Sequence, residues 1–294
     1  METRQLEYFV AVAEELNFTR AAAGLFAVQS TVSAGIRSLE SELGVPLFER
    51  THRRVALTPE GERLLPEARA AIEAIDRVRT AVSSDPRGIR GRIRVGIFTN
   101  LSFLKLPDLF AEFRRRYPLV DVQLTASPSG STGLADDVRH GRLDLAFMGL
   151  PRTDLAALDV VELTHSPVVA VVPAVHRLAH ASRVSLADLA DEQFVDSPAG
   201  FGNRIAAERA FALAGLHRSV TTVVASLSDI PQFVAGGLGV AVVPLNMFSP
   251  AEGAVQIPLD QEIIWTLSIA SRMAPSPAAA ALRALIIDRL AEPA

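Results

Sequence analysis

The sequence predicts an α/β chain in two parts: a small N-terminal domain of helices with one β-hairpin, and a larger α/β domain, joined by one long helix. Three observations predict it. Apolar residues recur at helical spacing through residue 43, a second helical stripe runs from Leu64 to Val82, and short β-branched runs alternate with helical segments from Arg92 onward. A length of 294 residues suits about two domains.

Taking the elements in order, Leu6, Phe9, Val10 and Ala13 mark a first helix, which the polar break at Asn17 ends. Thr19 is read as the N-cap of a short helix over residues 20–25, with Phe18 as a hydrophobic staple before it. After a brief connection, Val32, Ile36, Leu39 and Leu43 predict a helix over 29–43 that Gly44 stops. Residues 46–50 and 54–57, around the polar tip Thr51-His52-Arg53, read as a hairpin. Thr58-Pro59 then supplies an N-cap and a proline at the first helical position, opening a helix to about residue 82. Residues 83–88 look like a hinge. Runs at 93–97, 120–124, 143–148, 168–172, 194–195, 220–224 and 240–243 are expected to form mostly parallel strands, and a strand over 263–269 and a helix over 277–290 close the chain.

Composition narrows the function. The first residues carry Glu2 and Glu7 with no apolar signal core, and the apolar run 168–172 is far too short to span a bilayer. A soluble, cytoplasmic protein without membrane contact is expected. Cysteine is absent, which excludes disulfides and thiolate metal sites, and the six scattered histidines form no ligand spacing, so neither metal nor cofactor is expected. Net charge is −4, so nucleic-acid binding has to be argued from local charge.

Local charge is informative around the paired helices. From Leu16 to Leu39 there are Arg20 and Arg37 and no acid, and from Arg50 to Pro59 there are Arg50, Arg53 and Arg54 and again no acid. Phosphates would meet only positive groups there. Gln29, Ser30, Thr31 and Ser33 are read as non-core, short polar groups able to approach base edges in a major groove. With Thr19 and Arg20 on the preceding helix, these ten residues form the candidate DNA surface of a winged helix-turn-helix. The plain alternative is the solvated face of an ordinary helical hairpin.

The run Arg4-Gln5-Leu6, residues 9–14, residues 18–22, Leu25, Gln29, Val32-Ser33, Ile36-Arg37, Leu39-Glu40, Leu43-Gly44, residues 47–50 and Leu57-Thr58 resembles the N-terminal signature of LysR-type regulators. Gly141, residues 143–146, residues 237–240 and Pro244 resemble the same family's effector domain, so the resemblance spans essentially the whole chain. It implies a DNA-binding domain at 1–58, a linker and dimerisation helix with hinge at 59–88, and an effector domain at 89–294. That domain would have two lobes (about 89–162 with 263–294, and about 163–262), similar to periplasmic solute-binding proteins. It also implies an antiparallel pairing of linker helices through Leu64, Ala68, Ile72, Ile75 and Val78, giving a homodimer or homotetramer on a pseudo-palindromic double-stranded operator. The chain departs from the family at Val28, Ser30 and Ala34-Gly35, where serine, proline and a polar or basic pair are common. A glycine at 35, inside a helix, costs about 1 kcal/mol against alanine.

Candidate effector contacts are polar residues where strands give way to helices: Thr99, Asn100 and Ser102, then Ser131 and Thr132, then Ser197, Gly200, Phe201, Gly202, Asn203 and Arg204, and finally Ser226. Helix N-termini there offer free N–H groups, so a small organic anion is the first expectation, with Arg204 as a carboxylate partner. Asn100, Ser102, Ser131 and Ser197 are expected to converge on one cleft. Residues 235–239 are glycine-rich but lack the lysine and strand order of a phosphate loop. The resulting expectation is a DNA-binding transcription regulator controlled by a small effector. Its rivals are an architectural DNA binder without ligand, a solute-binding component and an α/β enzyme, the last opposed by the lack of a nucleophile elbow or triad signature.

Overall fold

The computed structural model describes residues 1–50, 55–81, 88–98, 101, 104–248 and 250–291. The chain divides into two compact units, Met1–Gly88 with His140–Arg142, and Ile89–Arg139 with Leu143–Ala294.

The first unit comprises α1 (Thr3–Glu15), α2 (Phe18–Gly24), α3 (Gln29–Leu43), the hairpin strands β1 (Phe48–Arg50) and β2 (Val55–Leu57), and α4 (Pro59–Ala81). Its helix boundaries follow local chemistry. A reciprocal capping box between Glu2 and Gln5 starts α1. The cap of α2 is Asn17, whose Oδ1 accepts the N–H groups of Thr19 and Arg20 at 2.9 and 3.0 Å. The cap expected at Thr19 therefore lies two residues earlier, and Phe18 is the first helical residue. Its ring stands edge-on to Phe48. Phe9, Val12, Val32, Ile36 and Leu39 are fully buried between the helices, and burying each such side chain contributes about 1.5–3 kcal/mol. The helix-interior glycine has a reason: a Cβ at Gly35 would lie 2.5 Å from Cδ2 of Tyr8, so the ring of α1 rests on the bare backbone of α3.

Thr58 opens α4 by accepting the Gly61 N–H at 3.0 Å while its hydroxyl donates to the Pro46 carbonyl at 2.8 Å. Leu64, Leu65, Ala68, Ala71 and Ile72 then pack into the core that α1, α2 and α3 build. Leu64, Ala68 and Ile72, which the resemblance assigns to the pairing of subunits, thus already have partners in their own unit. The first half of the stripe is consumed there, while Ile75 is half-buried and Val78 is 70% exposed. Val82 and the hinge up to residue 87 lie outside the described residues.

The second unit runs β3 (Arg90–Ile97), α5 (Leu106–Arg116), β4 (Leu119–Ala126), α6 (Gly130–Arg139), β5 (Leu145–Met148), β6 (Leu158–Pro173), α7 (Leu186–Leu189), β7 (Gln193–Asp196), α8 (Gly202–Leu213), β8 (Ser219–Val223), α9 (Ile230–Ala235), β9 (Ala241–Pro244), β10 (Ala254–Pro258), β11 (Ile264–Arg272) and α10 (Pro277–Ala291). Strand order is β10-β6-β11-β5-β3-β4, with β9 also on β6 and β7 paired to β8. Pairing is mixed, which corrects the expectation of mostly parallel strands. β3 is parallel to β4 and β5, and β7 to β8, but β11 runs antiparallel to β5 and β6, and β9 and β10 antiparallel to β6. The physical reason is β6 itself. Residues 158–167 pair with β11 and residues 168–173 with β9 and β10, so one long strand serves two groups of strands and the chain returns through β11 beside it. Both groups are packed with buried apolar residues such as Val95, Leu134, Phe147, Val171, Val242 and Ile269. Among the described residues no helix is long and apolar enough to cross a membrane.

Candidate functional site

Two surfaces carry the residues that the sequence singles out, one in each unit. In the first unit α3 presents Gln29, Ser30, Thr31, Ala34, Arg37 and Ser38 to solvent. Burial of Val32, Ile36 and Leu39 fixes this, because the exposed positions are those left on the opposite side of a 3.6-residue period. Ser33 is the correction. It is 8% exposed and sits on the core side, one turn before Ile36, so it presents no hydroxyl to a groove. The N-cap of α3 is Val28, which is exposed and supplies no side-chain cap; its carbonyl accepts the N–H groups of Thr31 and Val32 at 3.0 and 3.3 Å, and its side chain offers nothing to those of Gln29 and Ser30.

Thr19 and Arg20 are exposed on α2, but the Arg20 guanidinium is bound by Glu15, through Oε2 at 2.9 Å and the carbonyl at 2.6 Å. Arg53, Arg54 and the side chain of Arg50 lie outside the described residues.

In the second unit a narrow pocket is lined by Phe98, Ser131, Phe201, Gly202, Asn203, Leu227 and Trp265, with enclosed room for about one water. Two helix starts frame it. Ser131 sits in the first turn of α6, and its Oγ accepts the Gly149 N–H at 3.1 Å. The Thr132 N–H and Oγ1 both donate to the Gly200 carbonyl, at 3.1 and 3.2 Å, which ties the start of α6 to the turn before α8. Phe201 is the N-cap of α8 and offers no side-chain cap, while Gly202 and Asn203, its first two residues, are buried on the pocket wall. Gly149 is the hub of this arrangement. A Cβ there would lie 2.3 Å from Trp265 Nε1, and a Cβ on Gly202 would lie 2.4 Å from the Gly149 carbonyl oxygen. Bare backbone at both positions lets the indole and the start of α8 pack on the same peptide.

Behind Asn203 lies a buried polar chain. Asn203 Nδ2 donates to Asp196 Oδ1 at 3.1 Å and to Ser197 Oγ at 3.0 Å, and the same carboxylate oxygen accepts the Ser197 N–H at 2.7 Å. The other carboxylate oxygen is 2.6 Å from the Arg218 guanidinium, which itself lies over the rings of Phe194 and Phe211 at 5.3 and 5.7 Å. Burial pushes the Asp196 carboxyl above the usual carboxylate range, opposed by Arg218 and the Ser197 N–H. Asp196 and Arg218 thus hold Asn203 in place rather than facing the pocket.

Of the expected effector contacts, Ser131, Phe201, Gly202 and Asn203 meet at the pocket, and Thr132 and Gly200 close its rim. Ser197 is fully buried and engaged by Asn203. Arg204 is bound by Glu208 at 2.7 Å and by the Ser197 carbonyl at 3.0 Å, and the Ser226 hydroxyl pairs with that of Ser228 at 2.8 Å. Thr99, Asn100 and Ser102 lie outside the described residues. Sequence reasoning missed Phe98, Gly149, Leu227 and Trp265. Trp265 lies on β11, Phe98 and Gly149 directly follow β3 and β5, and Leu227 opens a short 3-10 turn, so only the fold brings them together at the helix starts. Among the described residues no His, Asp or Glu cluster could hold a metal ion.

Comparison with known proteins agrees on both units. Residues 3–62 match the family described as "Bacterial regulatory helix-turn-helix protein, lysR family", and residues 86–291 match the "LysR substrate binding domain". The chain is 34% identical over 269 residues to the HTH-type transcriptional regulator ShiR of Corynebacterium glutamicum, covering 90% of each chain. It is 36% identical over 265 residues to the transcriptional dual regulator GltC of Bacillus subtilis, covering 88% of this chain and 87% of that one. Its structure is similar to that of a full-length, singly substituted OxyR from Pseudomonas aeruginosa, with a TM-score of 0.79 and 27% identity, covering 99% of this chain and 94% of the other.

Proposed function

The chain belongs to the LysR family of bacterial regulators, and on that premise we propose that it is a sequence-specific DNA-binding transcription regulator switched by a small-molecule effector held in the pocket between α6 and α8. The observation that carries the DNA half is the exposed first turn of α3, with Gln29, Ser30 and Thr31 outward and Arg37 two turns on the same helix. Gln29 and its neighbours read base edges in the major groove, and Arg37, Thr19 and the wing arginines Arg50, Arg53 and Arg54 meet phosphates. Arg20 joins them by exchanging Glu15 for a phosphate. The protein works in the cytoplasm, where its DNA is.

The effector half rests on the frame of two helix starts. An organic anion lies at the uncapped start of α8, where backbone N–H groups and the positive end of the helix dipole favour negative charge. The chain has no cysteine, so no thiol carries the response, and the mechanism needs no covalent step. Entry of a ligand into so narrow a pocket requires the two strand groups to part, and their closure on the ligand is the signal. Subunits pair through the outward part of α4, Ile75 and Val78, while Leu64, Ala68 and Ile72 chiefly serve their own core.

The test is fluorescence anisotropy with duplexes selected from a random pool. Gln29→Ala is expected to cost about 1–3 kcal/mol on the selected duplex and far less on unselected DNA. Equal losses on both would remove Gln29 from base reading.

A further inference from the structure

The pocket contains one feature that the helix starts do not explain. Trp265 is 3% exposed and lines the pocket, and its Nε1 is a buried donor with no hydrogen-bond partner. An indole N–H can only donate, so it cannot be satisfied by rearranging its own proton. Its position is not adjustable either. The ring stands at 89° to Phe98 with centroids 6.1 Å apart, and Gly149 leaves it no more room than a hydrogen atom needs. Buried polar groups in folded proteins are nearly always paired, so a donor left unpaired on a pocket wall calls for an acceptor that enters the pocket.

We propose that the Trp265 indole N–H is the donor by which this protein selects its effector, and that the effector is a small planar carboxylate. The proposal rests on the ligand reading of the pocket given above. The chemistry follows from what faces what. Trp265 and the start of α8 both pack on Gly149, so an acceptor near that peptide is offered the indole N–H from one side and the first N–H groups of α8 from the other. A group with two acceptor oxygens in one plane answers both. Phe98, Phe201, Leu227 and the indole face supply the remaining walls, which suit a flat apolar body. Among the described residues no charged side chain lines the pocket, so the charge is met by oriented N–H dipoles, and polar discrimination falls to the few donors present. A ligand with the same shape but a weaker acceptor leaves the indole and the α8 donors unmet together.

Trp265 is the single tryptophan of the chain, so its emission reports on this site alone. The full-length protein is titrated with benzoate, benzamide and benzyl alcohol, following indole emission and, separately, heat of binding. Benzoate is expected to bind with a change in emission and at least tenfold more tightly than benzyl alcohol. Trp265→Phe keeps a ring and removes the N–H. It should weaken benzoate about tenfold and reduce the preference over benzyl alcohol. Phe201→Ala, which removes a wall and no donor, should weaken all three compounds alike. Unchanged benzoate affinity in Trp265→Phe, with loss in Phe201→Ala, would overturn the indole as selector and leave the pocket standing as the ligand site. Unchanged binding in both variants would overturn the pocket as well, and failure of benzoate to bind or to alter emission in the unsubstituted protein would overturn the carboxylate assignment without depending on the folding of any variant.

Discussion

The starts of α3 and α8 invite comparison because each begins with a bulky apolar residue, Val28 or Phe201, and neither has a side-chain cap. Asn17 caps α2 and Ser185 caps α7 in the ordinary way, while Lys105 before α5 and Asp229 before α9 are polar residues that supply no side-chain cap. The difference between the two uncapped starts is burial. The first turn of α3 is exposed, so water meets the N–H groups that Val28 leaves open, whereas the first turn of α8 is sunk against Gly149. An open start in water costs little. A sunken one has to find its acceptors within the protein or in a bound group. The two regions also differ in how they are built: α3 is held by neighbours close in sequence, while the α8 site draws on residues from 98 to 265.

The largest effect that would sharpen this contrast is expected at Arg218. Arg218→Met leaves the Asp196 carboxyl buried behind Asn203 without its ionic partner, to stay charged or take up a proton at a cost, and removing one partner of a buried pair costs about 3–5 kcal/mol. Urea unfolding should show the second unit losing that stability while the first unit, which shares no partner with the pair, keeps its own midpoint. A loss under about 1 kcal/mol would mean that Asn203 is held by packing alone.

Next in size is the contrast along α4. Ile72→Asp strikes the core of the first unit and should cost several kcal/mol of stability. Val78→Asp changes an exposed position and should leave stability within about 0.5 kcal/mol while driving sedimentation toward monomer. A Val78→Asp protein that still sediments as the parent would place the subunit contact elsewhere.

Gly35→Ala should be smaller again. Alanine gains about 1 kcal/mol in helix propensity, but its Cβ meets the Tyr8 ring, and overpacking a tight contact costs about 1–3 kcal/mol. A net loss of about 1 kcal/mol in thermal unfolding is expected, and a gain would show that Tyr8 moves freely.

What can be read from sequence follows the same divide. The limits of α3 are legible because Val32, Ile36 and Leu39 repeat at the helical period and Gly44 ends it, all within one local segment. Ser33 misleads by its polarity, although it stands three residues before Ile36, a spacing that shares the buried face. In the second unit, β10 escapes a sequence reading because its burial is slight and a proline ends it, and the first part of β6 carries Glu162 and His165 among its apolar residues. The helix starts at Ser131 and Gly202 are legible as turns. Trp265 is not, since a lone aromatic on a strand looks like core until Gly149 is brought against it.

The smallest expected effect tests whether the second unit is held at its helix starts alone. Asp154, in the turn between β5 and β6, is ion-paired at 2.5 Å with Arg209 on α8, and its backbone carbonyl accepts from Arg139 of α6. The Arg209 hydrogen bond holds the Asp154 carboxyl below the usual range. A carboxyl lowered in the folded state adds stability that is present above the unfolded value near 3.9 and is lost as pH falls through the lower folded value. The loss therefore belongs to the window below about pH 4, and because Arg209 is about half exposed it should stay under about 1 kcal/mol. Asp154→Asn removes the titrating group but retains a hydrogen-bond acceptor for Arg209. Urea midpoints of the second unit measured from pH 5 down to pH 3 should fall less steeply in this variant than in the parent. Parallel slopes would assign the acid sensitivity to other carboxylates, such as Asp188, and leave α8 anchored by its packing on Gly149 and by Asn203.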